Sequence, residues 1–359
     1  MKQLLIIFTG GTIGSQSANG TINVKEAGAY RLIESYLQHP SRNAAVRFDT
    51  LQPLNILSEN VTPEDWRTLA AAIRSVNYVD YAGIIVTHGS DTLAYSSAML
   101  SYLFGNIPIP LVLTASNYPL DDPRGNGSRN FQNAIDFIVN DGLPGVFSLY
   151  ENDAGQPLVY LGTRITQAIS FTDQYGSPYG VPYGKMEAGR FIVHPHERNP
   201  LPESLRGGSG AAFPWTPDSL RIGDDVVYLK PYPGLNYSLY SFEGEGPKPR
   251  AVLHDLHHSG TACAVGEGPY SLPRFIARCR ERGIQTYICP IRDASAALYS
   301  STRMLIDAGA IVIESISADA ALMKLMLGLG TYNNGRELEE FMTKTQLYYE
   351  FNDRVSQAL

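Results

Sequence analysis

Cysteine is scarce, with three in 359 residues, and Cys263, Cys279 and Cys289 fall at no metal-ligand spacing. So sparse and odd a set excludes a disulfide framework and fits a reducing compartment. Basic residues are in deficit: 28 Lys and Arg stand against 35 Asp and Glu, a net charge of −7. That balance excludes a surface built to neutralise nucleic-acid phosphates. Long apolar runs are missing too, and nothing approaches the ~18 residues of a membrane span. At the start, Lys2 precedes the short run Leu4-Leu5-Ile6-Ile7-Phe8, which stops at Thr9-Gly10-Gly11. It is too short for the core of a secretion signal and lacks a small-residue cleavage site. A soluble cytoplasmic protein with no nucleic-acid or membrane partner is the expectation. There is no internal repeat and no low-complexity tract.

What is present is an alternation of strand and helix patterns. Leu4–Phe8 and Gly83-Ile84-Ile85-Val86 read as buried strands of a parallel sheet. Thr62-Pro63-Glu64-Asp65 is a helix start, with a hydroxyl cap, proline in the first turn and acids behind it. Further strands are expected at 110–114, 226–229, 250–253, 286–289 and 311–313. Helices are expected near 92–104, 130–139, 272–282 and 298–308. Alternating β and α with short loops implies an α/β fold: a parallel, doubly wound sheet in a larger N-terminal domain, plus a smaller C-terminal α/β domain. The Pro-, Gly- and Ser-rich stretch around 194–221 reads as a linker or a long surface loop. The expected division is 1–195 for the N-terminal catalytic domain, 196–222 for the linker and 223–359 for the C-terminal domain.

Each of the first two strands runs into a glycine- and hydroxyl-rich segment: Thr9-Gly10-Gly11-Thr12-Ile13-Gly14 and Thr87-His88-Gly89-Ser90-Asp91-Thr92. Open α/β sheets place ligands at strand carboxyl ends, so the two loops are candidates to converge on a small polar substrate. Thr12 is a candidate nucleophile that needs a base or a lowered pKa. Glycines beside it allow backbone N–H groups to approach a developing oxyanion. Ser90 and Asp91 add a second hydroxyl and a carboxylate for a substrate ammonium or a proton-transfer chain. The plain alternative for Gly10-Gly11-Thr12 is a tight turn without chemistry. A dinucleotide site does not fit, because the spacing is not G-x-G-x-x-G. His254, Asp255, His257 and His258, or His194, His196 and Glu197, are a weaker metal alternative, since adjacent residues at a strand end rarely converge on one ion. Asp121-Asp122 reads as a solvated loop, and Ser317–Leu325 as a capped helix serving the core.

These residues resemble the bacterial-type L-asparaginase family, and most closely its cytoplasmic type I subgroup, over nearly the whole chain. Thr9–Gly14 and His88–Thr92 look like the family's two signatures. Ser58–Trp66 is similar to its substrate-clamping loop and following helix, Leu113–Leu120 to its next strand and loop, and Tyr232-Pro233-Gly234 to the start of its second domain. The resemblance implies an amidohydrolase that cleaves the side-chain amide of asparagine through an acyl-threonine. It implies no metal or other cofactor, and a homodimer or homotetramer. Carried over by position, Thr12 is the nucleophile and Ser90 the second catalytic hydroxyl. Ser58 and Asp91 hold the α-carboxylate and α-ammonium, with Glu59 assisting. Backbone amides near Gly11 and Gly89 stabilise the oxyanion.

The chain departs from that family at several points. Ser90 stands for a threonine. Gly162–Ala168 places Gln167 where the family has a lysine, and glutamine carries neither charge nor basicity. Asn19–Asn23 offers Thr21 in place of the family's loop tyrosine, with Tyr30 and Tyr36 as other sources of a phenol. Asn126 replaces an aspartate. In His257-His258-Ser259-Gly260-Thr261, a loop that closes a partner subunit's site in the family, Thr261 stands for an asparagine. The leading expectation is an asparaginase-type amidohydrolase. The alternative is an altered homologue that binds a small amino acid or amide, or acts on a different amide.

Overall fold

The computed structural model describes residues 1–11, 15–18, 21–24, 26–208, 214, 219–244, 246–293, 295 and 297–352, and over 15–30 the backbone only. The chain forms two compact units. One runs from Met1 to Phe213 and takes back Leu347–Tyr349; the other runs from Pro214 to Gln346 and adds Glu350–Asp353.

In chain order the first unit contains β1 (Lys2–Phe8), β2 (Ser15–Ala18), β3 (Thr21–Val24), α1 (Glu26–Gln38), β4 (Val46–Leu51) and α2 (Pro63–Arg74). Then come β5 (Gly83–Thr87), α3 (Leu93–Phe104), β6 (Pro110–Thr114), α4 (Gly127–Asp136), β7 (Gly145–Glu151) and β8 (Pro157–Leu161). It ends with β9 (Thr166–Ala168), β10 (Tyr175–Gly176), β11 (Gly184–Glu187), β12 (Arg190–Val193) and the short helix α5 (Pro202–Arg206). The main sheet has the order β12-β11-β8-β7-β6-β5-β1-β4. Strands β4, β1, β5, β6 and β7 are mutually parallel. Every residue of β5 and β6 is buried, as both-face coverage demands and as the uninterrupted apolar runs anticipate.

The sheet is not parallel throughout. Strands β8, β11 and β12 run antiparallel to their neighbours. The reversal after β7 is made by Asn152, whose Oδ1 accepts from the N–H of Ala154 and of Gln156 at 3.0 Å each, and by Gly155 at φ +71°. Asn and Gly at these places are ordinary turn chemistry. The expected helix at 130–139 begins earlier, as α4, and its end widens into a single π-turn over Phe137–Asp141 that stops at left-handed Gly142.

Helix α2 carries the capping box its sequence announces. Asp65 N donates to Thr62 Oγ1 at 3.4 Å, and Thr62 N donates to Asp65 Oδ2 at 2.8 Å, a device worth ~1 kcal/mol. Its buried face is Trp66, Leu69, Ala70 and Ile73. Tyr348 is buried against β7: its hydroxyl accepts from Val146 N at 2.9 Å and its carbonyl accepts from Thr163 Oγ1 at 2.7 Å.

The second unit contains β13 (Val226–Leu229), β14 (Ala251–Asp255), α6 (Leu272–Glu281), β15 (Gln285–Ile291), α7 (Ser300–Asp307), β16 (Ile311–Glu314), α8 (Ala318–Thr331) and α9 (Gly335–Lys344). Its four strands pair in parallel in sequence order. Val252, Phe275, Ile276, Ile288 and Leu305 lie in its core. Helix α8 is capped by Ser317, whose Oγ accepts from Ala320 N at 3.2 Å. It carries the fully buried Lys324, which donates to the Thr345 carbonyl and to Glu350 Oε1, the latter at 2.8 Å. Among the described residues, no helix is long and apolar enough to cross a membrane.

Candidate active site

The strand order β6-β5-β1-β4 means that the chain leaves β1 for β4 on one side, then crosses back to β5 on the other. The crevice between β1 and β5 is therefore the topological switch point, where ligands bind in open α/β sheets. Both glycine segments begin there. Phe8 pairs with Thr87, and Thr9 donates to the Thr87 carbonyl through both N (3.3 Å) and Oγ1 (2.9 Å).

Two left-handed glycines then turn the first loop: Gly10 at φ +101° and Gly11 at φ +74°. Side chains are excluded on steric grounds as well. A methyl group on Gly10 would lie 2.3 Å from the Ile56 carbonyl oxygen, and one on Gly11 would lie 2.6 Å from Gly89 N. Ile56 clamps the loop by donating to the Thr9 carbonyl and accepting from Gly11 N, both at 2.9 Å. The Gly11 N–H is thereby committed and is not free for an oxyanion. By contrast, the N–H groups of Gly89 and Ser90 have no partner among the described residues. Thr12, with Ile13 and Gly14, lies outside the described residues. Thr21 opens β3, and nothing beyond its backbone is described.

Ser58, on a 3₁₀ turn ahead of α2, packs directly on Gly89. A methyl group there would sit 2.3 Å from Ser58 Oγ. Ser58 is buried, its carbonyl accepts from Thr92 Oγ1 at 3.0 Å, and Glu59 beside it is exposed. Gly11, Ser58, Glu59, Gly89, Ser90 and Asp91 are thus brought together by three loops. Asp91 is held above the ordinary carboxylate range by partial desolvation first and by the Glu59 carboxylate second. Two acids so close favour a cation between them.

The second loop is braced from behind. Trp66 Nε1 donates to Ser96 Oγ at 2.9 Å, Ser96 Oγ meets His88 Nε2 at 2.9 Å, and His88 Nδ1 meets the Gly89 carbonyl at 2.9 Å. A neutral imidazole with its proton on Nδ1 satisfies every link. Burial agrees, holding His88 below the usual histidine value. The β9–β10 hairpin grips the other side: Tyr175 OH donates to the Ser90 carbonyl and Gln167 Nε2 to the Asp91 carbonyl, both at 2.6 Å. Gln167 Oε1 is buried with no partner among the described residues. Gln167 therefore touches the loop through the loop's backbone. Asn126 braces the next loop, with its Oδ1 accepting from Asn117 N at 3.1 Å and its Nδ2 donating to the Glu151 carbonyl at 3.1 Å.

The sequence alone does not single out Ser96 and Trp66, Tyr175, or the cluster in which Asn117 Nδ2 (2.6 Å) and Tyr150 OH (3.0 Å) both donate to Asp173. Ser96, Tyr150, Asp173 and Tyr175 sit in no motif, and Trp66 and Asn117 lie in family-like segments that give them no role. The helical placement of Ser96, one turn into α3 from the His88 loop, is the signal that could have found it.

Thr261 belongs to the other unit, where its carbonyl accepts from His257 N at 2.9 Å and its hydroxyl meets Ser259 Oγ at 3.2 Å. The histidines there are not arranged as ligands. His254 Nε2 meets Tyr237 OH at 2.9 Å, and Nδ1 meets the Asp255 carbonyl. Among the described residues, no three of His, Cys, Asp and Glu are placed to hold a metal ion.

Hydroxyls, two neighbouring acids and amides with no partner among the described residues thus meet at the switch point. Comparison with known proteins makes this more particular. Residues 3–197 match the asparaginase family model described as "Asparaginase, N-terminal". The L-asparaginase of Thermococcus kodakarensis is 28% identical over 356 residues, covering 95% of this chain and 97% of that protein. L-asparaginase 1 of Escherichia coli strain K12 is 30% identical over 270 residues, 72% of this chain and 76% of that one. A subunit of the glutamyl-tRNA(Gln) amidotransferase of Pyrococcus furiosus is 26% identical over 95% of this chain and 75% of its own length. The solved structure of the thermostable L-asparaginase from T. kodakarensis shares the fold at a TM-score of 0.78 and 24% identity, covering 98% of this chain and 99% of that one. The chain belongs to the asparaginase family.

Proposed function

We propose that this protein is an L-asparaginase-type amidohydrolase, converting L-asparagine to aspartate and ammonia. The observation that carries the proposal is the convergence of Gly11, Ser58, Gly89 and Asp91 at the β1/β5 switch point, in a chain of the asparaginase family. The Asp91 carboxylate, reinforced by Glu59, binds the α-ammonium, and Ser58 binds the α-carboxylate. The Thr12 hydroxyl attacks the side-chain amide carbon, and the oxyanion is met by the amides of Gly89 and Ser90, which have no partner among the described residues. Collapse passes the Thr12 hydroxyl proton to the amide nitrogen, breaks the C–N bond to release ammonia and leaves an ester on Thr12. Water, positioned by Ser90, cleaves that ester, returning the proton to Thr12 and releasing aspartate. Gln167 cannot relay a proton, so its part is to fix the Asp91 carbonyl; the Thr21 hydroxyl is the nearest match to the family's loop phenol.

The reading extends to a cytoplasmic homodimer or homotetramer, with residues 1–195 as the catalytic domain, 196–222 as linker and 223–359 as the second domain, whose Thr261 loop closes a neighbour's site. No cofactor enters the chemistry. The test is a comparison of L-asparagine with succinamate, which lacks the ammonium. Wild type should prefer asparagine strongly, and Asp91→Asn should lose most of that preference. Equal use of the two by wild type would overturn the assignment of Asp91. The amidotransferase relative keeps glutamine within the set of amides to be assayed.

A further inference from the structure

The second unit contains a pocket of about 280 Å³ that the asparaginase reading does not use. Its walls are the 3₁₀ turn Tyr237–Tyr240, the loop Gly268–Ser271 and the first turns of α6. Both charged groups that line it are positive: Arg274 and Arg278, one turn apart on α6. Like charges at this spacing repel on a bare helix, yet neither is paired with a carboxylate among the described residues. The contrast is Arg282 at the C-terminal end of the same helix, which bonds Glu243 at 2.7 Å.

Arg278 is also incompletely satisfied. Its Nη2 donates to the Tyr237 carbonyl at 2.9 Å, which fixes the guanidinium. Its Nε is buried with no hydrogen-bond partner among the described residues. A charged donor left so is costly in a folded protein. Tyr237 stacks on Phe275 at 5.1 Å between centroids, giving the pocket a rigid aromatic floor. Its volume is that of roughly nine waters at ~30 Å³ each, which suits a ligand of metabolite size.

We propose that this pocket is a binding site for a small oxyanion-bearing molecule, a carboxylate or a phosphate, held by Arg274 and Arg278 with Ser238 at the rim. It shares no lining residue with the asparagine site and does not depend on that assignment.

The test is calorimetric titration of the full chain, at constant ionic strength, with inorganic phosphate and separately with sodium benzoate. Saturable one-site binding of at least one anion is expected. It should weaken at least tenfold in Arg274→Gln and in Arg278→Gln and stay unchanged in Ser58→Ala; the tighter anion identifies the headgroup. Should Arg278→Gln fail to fold for want of its bond to Tyr237, the exposed Arg274→Gln decides alone. No saturable binding, binding that survives an arginine substitution, or binding that Ser58→Ala removes would each overturn the proposal. Asparagine turnover is not read, so the outcome is independent of the proposed activity.

Discussion

Replacing Gly89 by alanine isolates the contact on which the site's geometry rests. The backbone at Gly89, φ −84° and ψ 149°, is one that any L-residue adopts, so the substitution carries no conformational strain. Its whole cost is steric. The new Cβ would stand 2.3 Å from Ser58 Oγ and 2.5 Å from Ser58 Cβ, where carbon atoms need about 3.5–4.0 Å. The hydroxyl can rotate away, but Ser58 Cβ cannot, so its 3₁₀ turn must retreat by roughly 1 Å. Overpacking of this kind costs ~1–3 kcal/mol of stability, and a displacement of that size at a positioning group costs on the order of 100-fold in rate. Ammonia release from L-asparagine and thermal unfolding measure the two effects. Adding Ser58→Gly removes both clashing atoms and leaves Ser58 N at 3.4 Å, an ordinary contact. The double variant should recover the stability but not the activity, because the hydroxyl is gone. A Gly89→Ala protein with wild-type kcat/KM and Tm would refute the packing of Ser58 on Gly89.

Three further outcomes are expected. Gln167→Lys keeps a donor near the Asp91 carbonyl and adds a charge beside Ser90; since a positioned proton-transfer group is worth ~10²–10⁴-fold, kcat should rise at least ~10-fold, and no change would mean that the proton travels by another group. Glu59→Gln removes one of the two causes that raise the Asp91 pKa, so Asp91 stays ionised to lower pH. The acid limb of kcat/KM should therefore move down in pH even as KM rises; a limb that stays in place or moves up contradicts the pairing. Lys324→Met strands the Glu350 carboxylate in a fully buried site and should cost ~3–5 kcal/mol in urea unfolding, most of it recovered in Lys324→Met/Glu350→Leu. A loss below ~1 kcal/mol in the single variant would contradict the burial of the pair.

Much of the fold and part of the site are legible in the chain itself. Strands β1, β5 and β6 announce themselves because burial on both faces demands unbroken apolar runs, and Thr62-Pro63-Glu64-Asp65 spells out the cap of α2. The antiparallel edge is hidden although Asn152 and Gly155 mark its turn, because the apolar runs of β7 and β8 do not reveal strand direction. At the site, glycines give away both loops: Gly10 and Gly11 by their left-handed backbone, Gly89 by its close contact with Ser58. The braces do not show: Tyr175 reaches Ser90 across 85 positions and Trp66 reaches Ser96 across 30, and such pairs are created only by folding. Family resemblance sets Gln167 at the position of a lysine, but its bond to the Asp91 carbonyl is set by the folded hairpin. The Gly11 amide shows the converse, a group the loop's composition offers to an oxyanion and the fold assigns to Ile56.

Whether the switch-point loops form a working amidohydrolase is decided by ammonia release from L-asparagine by the purified full chain, with Thr12→Ala measured beside it. Turnover by the wild type should fall to background in the variant while the fold is retained. Turnover that persists in Thr12→Ala, or none from a folded wild-type protein, would contradict the assignment.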